Sequence, residues 1–281
     1  MKHVTIQGVA GCFHDAAARE YFSNEEILTE ECDTFPAMFD RLAADTSLLG
    51  IMAIENTIAG SLLPNHELLR RSNLEIFGEQ HMHIAHVLCA LPGTRIEDVE
   101  EVNSHPMALM QCEDFLLTHP GMKMVEKNDT AGSAQEIAAK KLRGHAAVCG
   151  ALAARLYGLE ILASDIQTNK HNTTRFLLLS HPDRYGELHA ESPDKASLVF
   201  TLPHTQGSLS KVLTILSFYD LNLSKIQSMP IVGHEWEYRF YIDLTFCDYD
   251  RYRKALEAVR PLTSEFRVLG EYRRFKPSKP E

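Results

Sequence analysis

From His3 to Ser180, short β-branched or apolar runs alternate with segments whose apolar residues recur every three or four positions. The runs "HVTIQ", "LLGIMAIEN", "EVNS", "HAAVCG" and "EILASD" predict strands. The segments "FHDAAAREYF", "LLPNHELLRRS", "PMALMQCEDFLLTH" and "AGSAQEIAAKKL" predict helices. This alternation is the signature of an α/β domain with a mainly parallel sheet covered on both faces. It breaks at "HPDRYGELHAESPD", which is polar and holds Pro and Gly, so residues 183–194 read as an interdomain linker. A compact block follows over 195–273. It runs strand "KASLVFTL", helix Ser208 to Tyr219, strands "LSKIQSMPI" and "EYRFYIDLTF", helix "YDRYRKALEAV" and strand "FRVLGEY". That βαββαβ order is the ferredoxin-like arrangement. The tail, 274–281, is expected to be disordered.

Composition narrows the choices. The chain has 281 residues, 44% of them hydrophobic, which suits two domains with cores of their own. A formal net charge of −10 argues against nucleic acid or an anionic membrane as partner, so an anionic substrate must be held by local donors. The start runs directly into a strand-like segment, and no window approaches the roughly 18 apolar residues of a membrane span. A cytoplasmic location is expected. Six scattered cysteines without a C-x-x-C pair suit reduced thiols rather than disulfides or structural zinc. In "HMHIAH" the spacing puts His81 and His83 on one strand face, with His86 further on, but the run itself holds no Cys, Asp or Glu, so the three read as hydrogen-bonded imidazoles of a crossing strand, with no metal expected. "RYRKALEAVR" reads as a solvated helix face.

The chemistry gathers where strands give way to helices. Gly8 and Gly11 follow the first strand, and Asn56, Thr57 and Ser61 follow "IMAIEN". Ser104 stands as a helix cap before Pro106, and Asp129, Thr130 and Ser133 open another helix. Each junction alone suits ordinary capping. Four of them together suit a small anion bound at the carboxyl ends of the strands. "HNTTRF" then starts an apolar strand with two threonines and Arg175. A buried arginine requires either a carboxylate from elsewhere or an anionic ligand.

The motifs "GVAGCFHDAA", "AIENTIAGS", "SHPMALMQC", "DTAGSA", "DIQTNKHNTTRF" and "LNLSKIQSMP" occur in one order across almost the whole chain. Together they resemble prephenate dehydratase with a carboxy-terminal regulatory ACT domain. The resemblance implies a two-lobed, periplasmic-binding-protein-like catalytic domain over 1–182. Lobe one would hold about 1–76 and 170–182, and lobe two 77–169. It further implies decarboxylation and dehydration of prephenate to phenylpyruvate with no cofactor. Thr174 would be catalytic, donating to the departing hydroxyl. Arg175, Asn56, Ser104, Gln111 and Thr130 would bind the substrate's carboxylates and ring, and Phe176 would wall the cleft. Glu55 sits beside Asn56 as a candidate acid, although pairing with a nearby cation is the favoured expectation. His14, followed by Asp15, stands where the family has a small hydroxyl.

In the family, ACT domains pair and bind phenylalanine between them. The matching positions are Gly207, Ser208, Leu209, Asn222 and the adjoining Leu223. The family's Glu-Ser-Arg-Pro element reads "QSMP" here, with Gln227 and Met229 in place of both charges. A homodimer or homotetramer inhibited by L-phenylalanine is implied. Two other readings stand beside this one: an arogenate dehydratase, and a non-catalytic sensor of amino acids or organic anions.

Overall fold

The computed structural model describes residues 1–231, 233 and 237–276. Lobe one begins with β1 (Lys2–Gln7), α1 (Phe13–Tyr21), β2 (Ile27–Cys32), α2 (Phe35–Ala44), β3 (Leu49–Asn56), β4 (Gly60–Ser61), α3 (Leu63–Arg71) and β5 (Glu75–His83). Lobe two contains β6 (Val87–Ala90), β7 (Glu101–Ser104), α4 (Pro106–Gln111), α5 (Glu113–Leu117), β8 (Lys123–Glu126), α6 (Thr130–Lys140), β9 (His145–Cys149), α7 (Ala151–Leu156) and β10 (Glu160–Ala163). The chain then returns to lobe one as β11 (Thr173–Ser180) and passes through α8 (Pro182–Leu188). A third domain follows: β12 (Lys195–Leu202), α9 (Ser208–Phe218), β13 (Asn222–Pro230), β14 (Tyr238–Thr245), α10 (Tyr249–Val259) and β15 (Glu265–Tyr272).

The three sheets have orders β2-β1-β3-β11-β5 with β4 beside β3, β10-β6-β9-β7-β8, and β13-β14-β12-β15. The last is the βαββαβ arrangement expected for the final block. The lobe sheets are more mixed than the sequence suggests, because the strands that close them run antiparallel: β11 against β3 and β5, and β6 against β9 and β10. Pairing of β5 with β11 keeps residues up to His83 in lobe one, so the first crossing follows His83 rather than residue 76.

Other boundaries move for local reasons. The polar stretch read as a linker forms α8, which starts at Pro182 with the His181 side chain accepting from Asp183 N–H. Tyr185 ties it to the third domain by donating to Glu271 O at 2.8 Å. The long helix expected from Pro106 breaks at Cys112, where φ is −108° and ψ 15°. β2 and α2 are missing from the sequence reading; β2 is a sheet edge that alternates exposure along "ILTEEC", so its apolar signal is thin. In the tail, Phe275 stacks on His81 with ring centroids 4.9 Å apart. Residues 277–281, the remainder of the expected disordered tail, lie outside the described residues.

Lobe one's central sheet is buried on both faces, and strand alternation decides which side chain goes where. Ile51, Ala53, Phe176 and Leu178 pack toward α1 and lobe two. Met52, Ile54, Leu177 and Leu179 pack with Val199, Tyr241, Leu269 and Tyr272 of the third domain. Contact on that second face is close: a Cβ on Gly270 of β15 would stand 2.1 Å from the Ile76 carbonyl oxygen, so only glycine fits.

Candidate active site

A cleft of about 290 Å³ opens between the lobes at the carboxyl ends of β1, β3 and β7. Thr174, Asn56, Phe176, Gln111 and Thr130 all line it, from elements far apart in the chain. Thr174 is directly opposite Asn56 in the β11–β3 register. Around this pair a chain of amides fixes the direction of every hydrogen bond. Asn56 Oδ1 accepts from the backbone N–H groups of Ile58 (2.8 Å) and Ala59 (2.9 Å). Backbone donors do not flip, so Asn56 must present its Nδ2 to the other side. Nδ2 donates to Thr174 Oγ1 at 2.9 Å and to Asn172 Oδ1 at 2.7 Å. Asn172 Nδ2 donates in turn to Gln111 Oε1 at 3.1 Å.

Two consequences follow. Thr174 Oγ1 is already an acceptor, so its O–H is left to donate into the cleft. Gln111 Oε1 is also an acceptor, so its Nε2 is turned outward as a donor. The same logic sets His86, whose Nε2 lies 3.0 Å from Gln111 Oε1 and must carry the proton. Burial lowers the His86 pKa despite that bond, which favours the neutral ring.

Three expected site residues are elsewhere. Arg175, next along β11, points to the opposite face, as strand geometry demands of Thr174's neighbour. There its Nε donates to Glu79 Oε2 at 2.7 Å, its Nη2 to the Tyr272 hydroxyl at 2.9 Å, and its Nη1 pairs with Asp243. Lys195 Nζ reaches the same Glu79 at 2.8 Å. The arginine's requirement is therefore met by carboxylates and not by substrate. Burial works against these charges, but the partners prevail: Arg175 stays cationic, and Glu79 and Asp243 lie below the usual carboxylate range. Glu55 shares that face. Lys225 Nζ donates to its Oε2 at 3.1 Å, so it pairs with a cation as favoured and does not line the cleft. Ser104 is fully buried under α4 and donates to Val148 O at 2.6 Å, tying β7 to β9. The cap of α4 is His105, whose Nδ1 accepts from Met107 N–H at 3.2 Å.

His14 is buried against the rings of Phe176 and Phe35 (centroids 5.1 and 5.4 Å), and its Nε2 accepts from Ala53 N–H at 3.2 Å. Burial pushes its pKa down to about 4, so it is neutral at pH 7 and Nδ1 carries the proton. Asp15 steadies the first loop by accepting from Gly11 N–H at 2.7 Å and from Arg19 Nε at 2.8 Å. Gly11, at φ +84°, rests on lobe two, where a Cβ would stand 2.8 Å from Ala153 Cα.

Sequence reasoning did not single out Asn172, His105, Asn128 or Asp129 as lining residues, nor His86 of the expected imidazoles. Asn172 sits inside the quoted "HNTTRF", and Asp129 was visible as a cap; a cap side chain facing a cleft has two tasks, and spacing reveals only one. Of the three histidines in "HMHIAH", His81 and His83 occupy alternate positions along β5, with His81 3.7 Å from Glu79 and His83 exposed, whereas His86 lies beyond the strand and enters the cleft.

A family model for prephenate dehydratase matches residues 4–184. The chain belongs to the prephenate dehydratase family. Arogenate dehydratase 1 of Petunia hybrida is 38% identical over 286 residues, covering 96% of this chain and 66% of the petunia protein. The chain thus spans slightly less than two thirds of that relative's length. The solved prephenate dehydratase of Arthrobacter aurescens in complex with L-Phe is 29% identical, with a TM-score of 0.85 over 97% of this chain and 90% of that one. Another solved structure, described as a novel type of quorum-quenching acylase, is 28% identical with a TM-score of 0.85 over 98% and 99% of the two chains. Family membership and the likeness to the Arthrobacter structure accord with the two-lobed α/β fold described above.

In this family member, Gly207 starts α9 at φ +78° with Ser208 and Leu209 in its first turn, whereas Asn222 lies beyond the helix's other end and donates to Thr245 Oγ1 at 3.3 Å. Leu223 follows in β13. An eleven-residue helix is about 16 Å long. One small ligand therefore does not touch Gly207 and Asn222 of the same protomer.

Proposed function

We propose that the chain catalyses decarboxylative dehydration of prephenate to phenylpyruvate, and of its amino-acid form arogenate to phenylalanine. The observation that carries this reading is the amide chain that leaves the Thr174 O–H as a donor aimed into the cleft. The C1–carboxylate bond breaks, its electron pair enters the ring, and the C4–oxygen bond breaks as the ring becomes aromatic. Oxygen departs as hydroxide held by the Thr174 hydroxyl and becomes water by taking a proton from solvent. Threonine does not ionise at neutral pH, so its role is a hydrogen bond that strengthens as charge develops. Gln111 Nε2 and the Thr130 hydroxyl, both on the cleft lining, supply neutral donors for the carboxylates. Phe176 and His14 form an apolar wall. The test is ultraviolet detection of phenylpyruvate from prephenate and of phenylalanine from arogenate, with purified full chain. Absence of turnover on both removes the reading.

The third domain fits a regulatory ACT role in a homodimer or a pair of dimers. The separation of Gly207 from Asn222 within one chain supports a ligand held between two copies, each contributing one end. L-phenylalanine is the effector this reading names, and calorimetry with the full chain tests it.

A further inference from the structure

The charge of the cleft does not suit the substrate it is asked to hold. Prephenate is a dianion, yet no Lys or Arg is among the described residues lining the cleft. What the lining does contain is a carboxylate, Asp129. Its Oδ1 caps α6 by accepting from Gly132 N–H at 2.6 Å. Its Oδ2 faces lobe one, so near Gly8 that a Cβ there would stand 3.2 Å away. Among the described residues no side-chain cation forms an ion pair with it. Glu31, anchored by Ala10 N–H at 2.6 Å, adds a second negative charge to its surroundings, against which stand the backbone N–H groups of Gly132 and Ala131 and the more distant His105. Burial raises the Asp129 pKa, which is the direction expected of an acid without a partner.

The two candidate substrates differ at one group. Prephenate has a keto oxygen beside its side-chain carboxylate; arogenate has an ammonium group there. A keto oxygen offers an unpaired carboxylate nothing, while an ammonium supplies both charge and N–H donors. Arogenate also brings one less net negative charge into a cleft without cations. We propose that Asp129 receives the ammonium group of an amino-acid substrate, so that the cleft prefers arogenate over prephenate. This rests on the dehydratase reading and specifies its substrate.

The test compares kcat/KM for arogenate and prephenate in the wild-type full chain, Asp129→Asn and Asp129→Ser. Asn and Ser both cap helices well, so α6 is retained while the charge is removed. The wild type should favour arogenate by about tenfold or more, and in both variants the ratio should fall by about tenfold. A wild-type preference for prephenate overturns the proposal. So does an unchanged ratio in variants that keep the wild-type Tm. If both variants fail to fold, the wild-type ratio alone decides the preference. Turnover of neither substrate removes the dehydratase reading and this proposal with it, a result distinct from turnover with the opposite preference.

Discussion

The two faces of β11 treat polar groups in opposite ways. On the cleft face, Thr174 joins neutral amides whose directions are set by two backbone N–H groups. On the domain face, Arg175 joins Glu79, Asp243 and Lys195, with Glu55 and Lys225 beside them. The difference is one of task. Amides orient a donor without pre-empting its charge, which suits a site that must receive an anion. A buried ion network holds two domains in one register, because removing any member leaves an uncompensated charge. One strand thus carries the proposed chemistry on one side and the attachment of the proposed regulatory domain on the other.

Breaking the cleft face should have the largest effect. Thr174→Val keeps the shape and removes the donor, so kcat should fall about a hundredfold or more with Tm unchanged, while Thr174→Ser should retain much of the rate. Near-normal turnover in folded Thr174→Val would remove the threonine from the mechanism. On the domain face, Arg175→Gln should cost about 3 kcal/mol of unfolding free energy in urea titrations, because Glu79 and Asp243 lose their shared partner. A loss below about 1 kcal/mol would mark the network as dispensable.

A smaller effect belongs to His14. Its folded pKa of about 4 lies below the ordinary 6.5, so the unfolded chain binds the proton first as pH falls. This contribution to stability is intact above 6.5 and is lost progressively toward about 4, up to about 3 kcal/mol. His14→Gln should flatten that part of a Tm-against-pH curve; an unaltered slope would assign it to other groups, of which His66, lowered to about 3 mainly by burial, is the first. The smallest effect concerns the third domain, where Asn222→Ala should weaken L-phenylalanine binding about tenfold by calorimetry. Equal affinity in the variant would move the effector site away from β13.

Much of this was legible in the chain. The third domain's six elements follow directly from its periodicity, and the strand-to-helix junctions locate most of the cleft. The expectation that Thr174 and Arg175 both meet substrate conflicts with a rule the sequence itself carries: neighbours on a strand face opposite sides. The same holds for Glu55 and Asn56. What the sequence does not carry is the identity of the partners across that second face, since Glu79, Asp243 and Tyr272 are separated from Arg175 by 96, 68 and 97 residues. Ser104 misleads for another reason: "S-H-P" fits a capping serine, but the cap falls one residue later, on His105, and the serine is spent on joining two strands.

The division of labour on β11 is tested most directly by the substrate dissociation constant of Arg175→Lys, measured on a Thr174→Val background that prevents turnover, beside the Tm of each protein. The account predicts a lower Tm with a dissociation constant within about threefold of the Thr174→Val parent. An unchanged Tm with a dissociation constant raised tenfold or more would place Arg175 in the substrate site and contradict it.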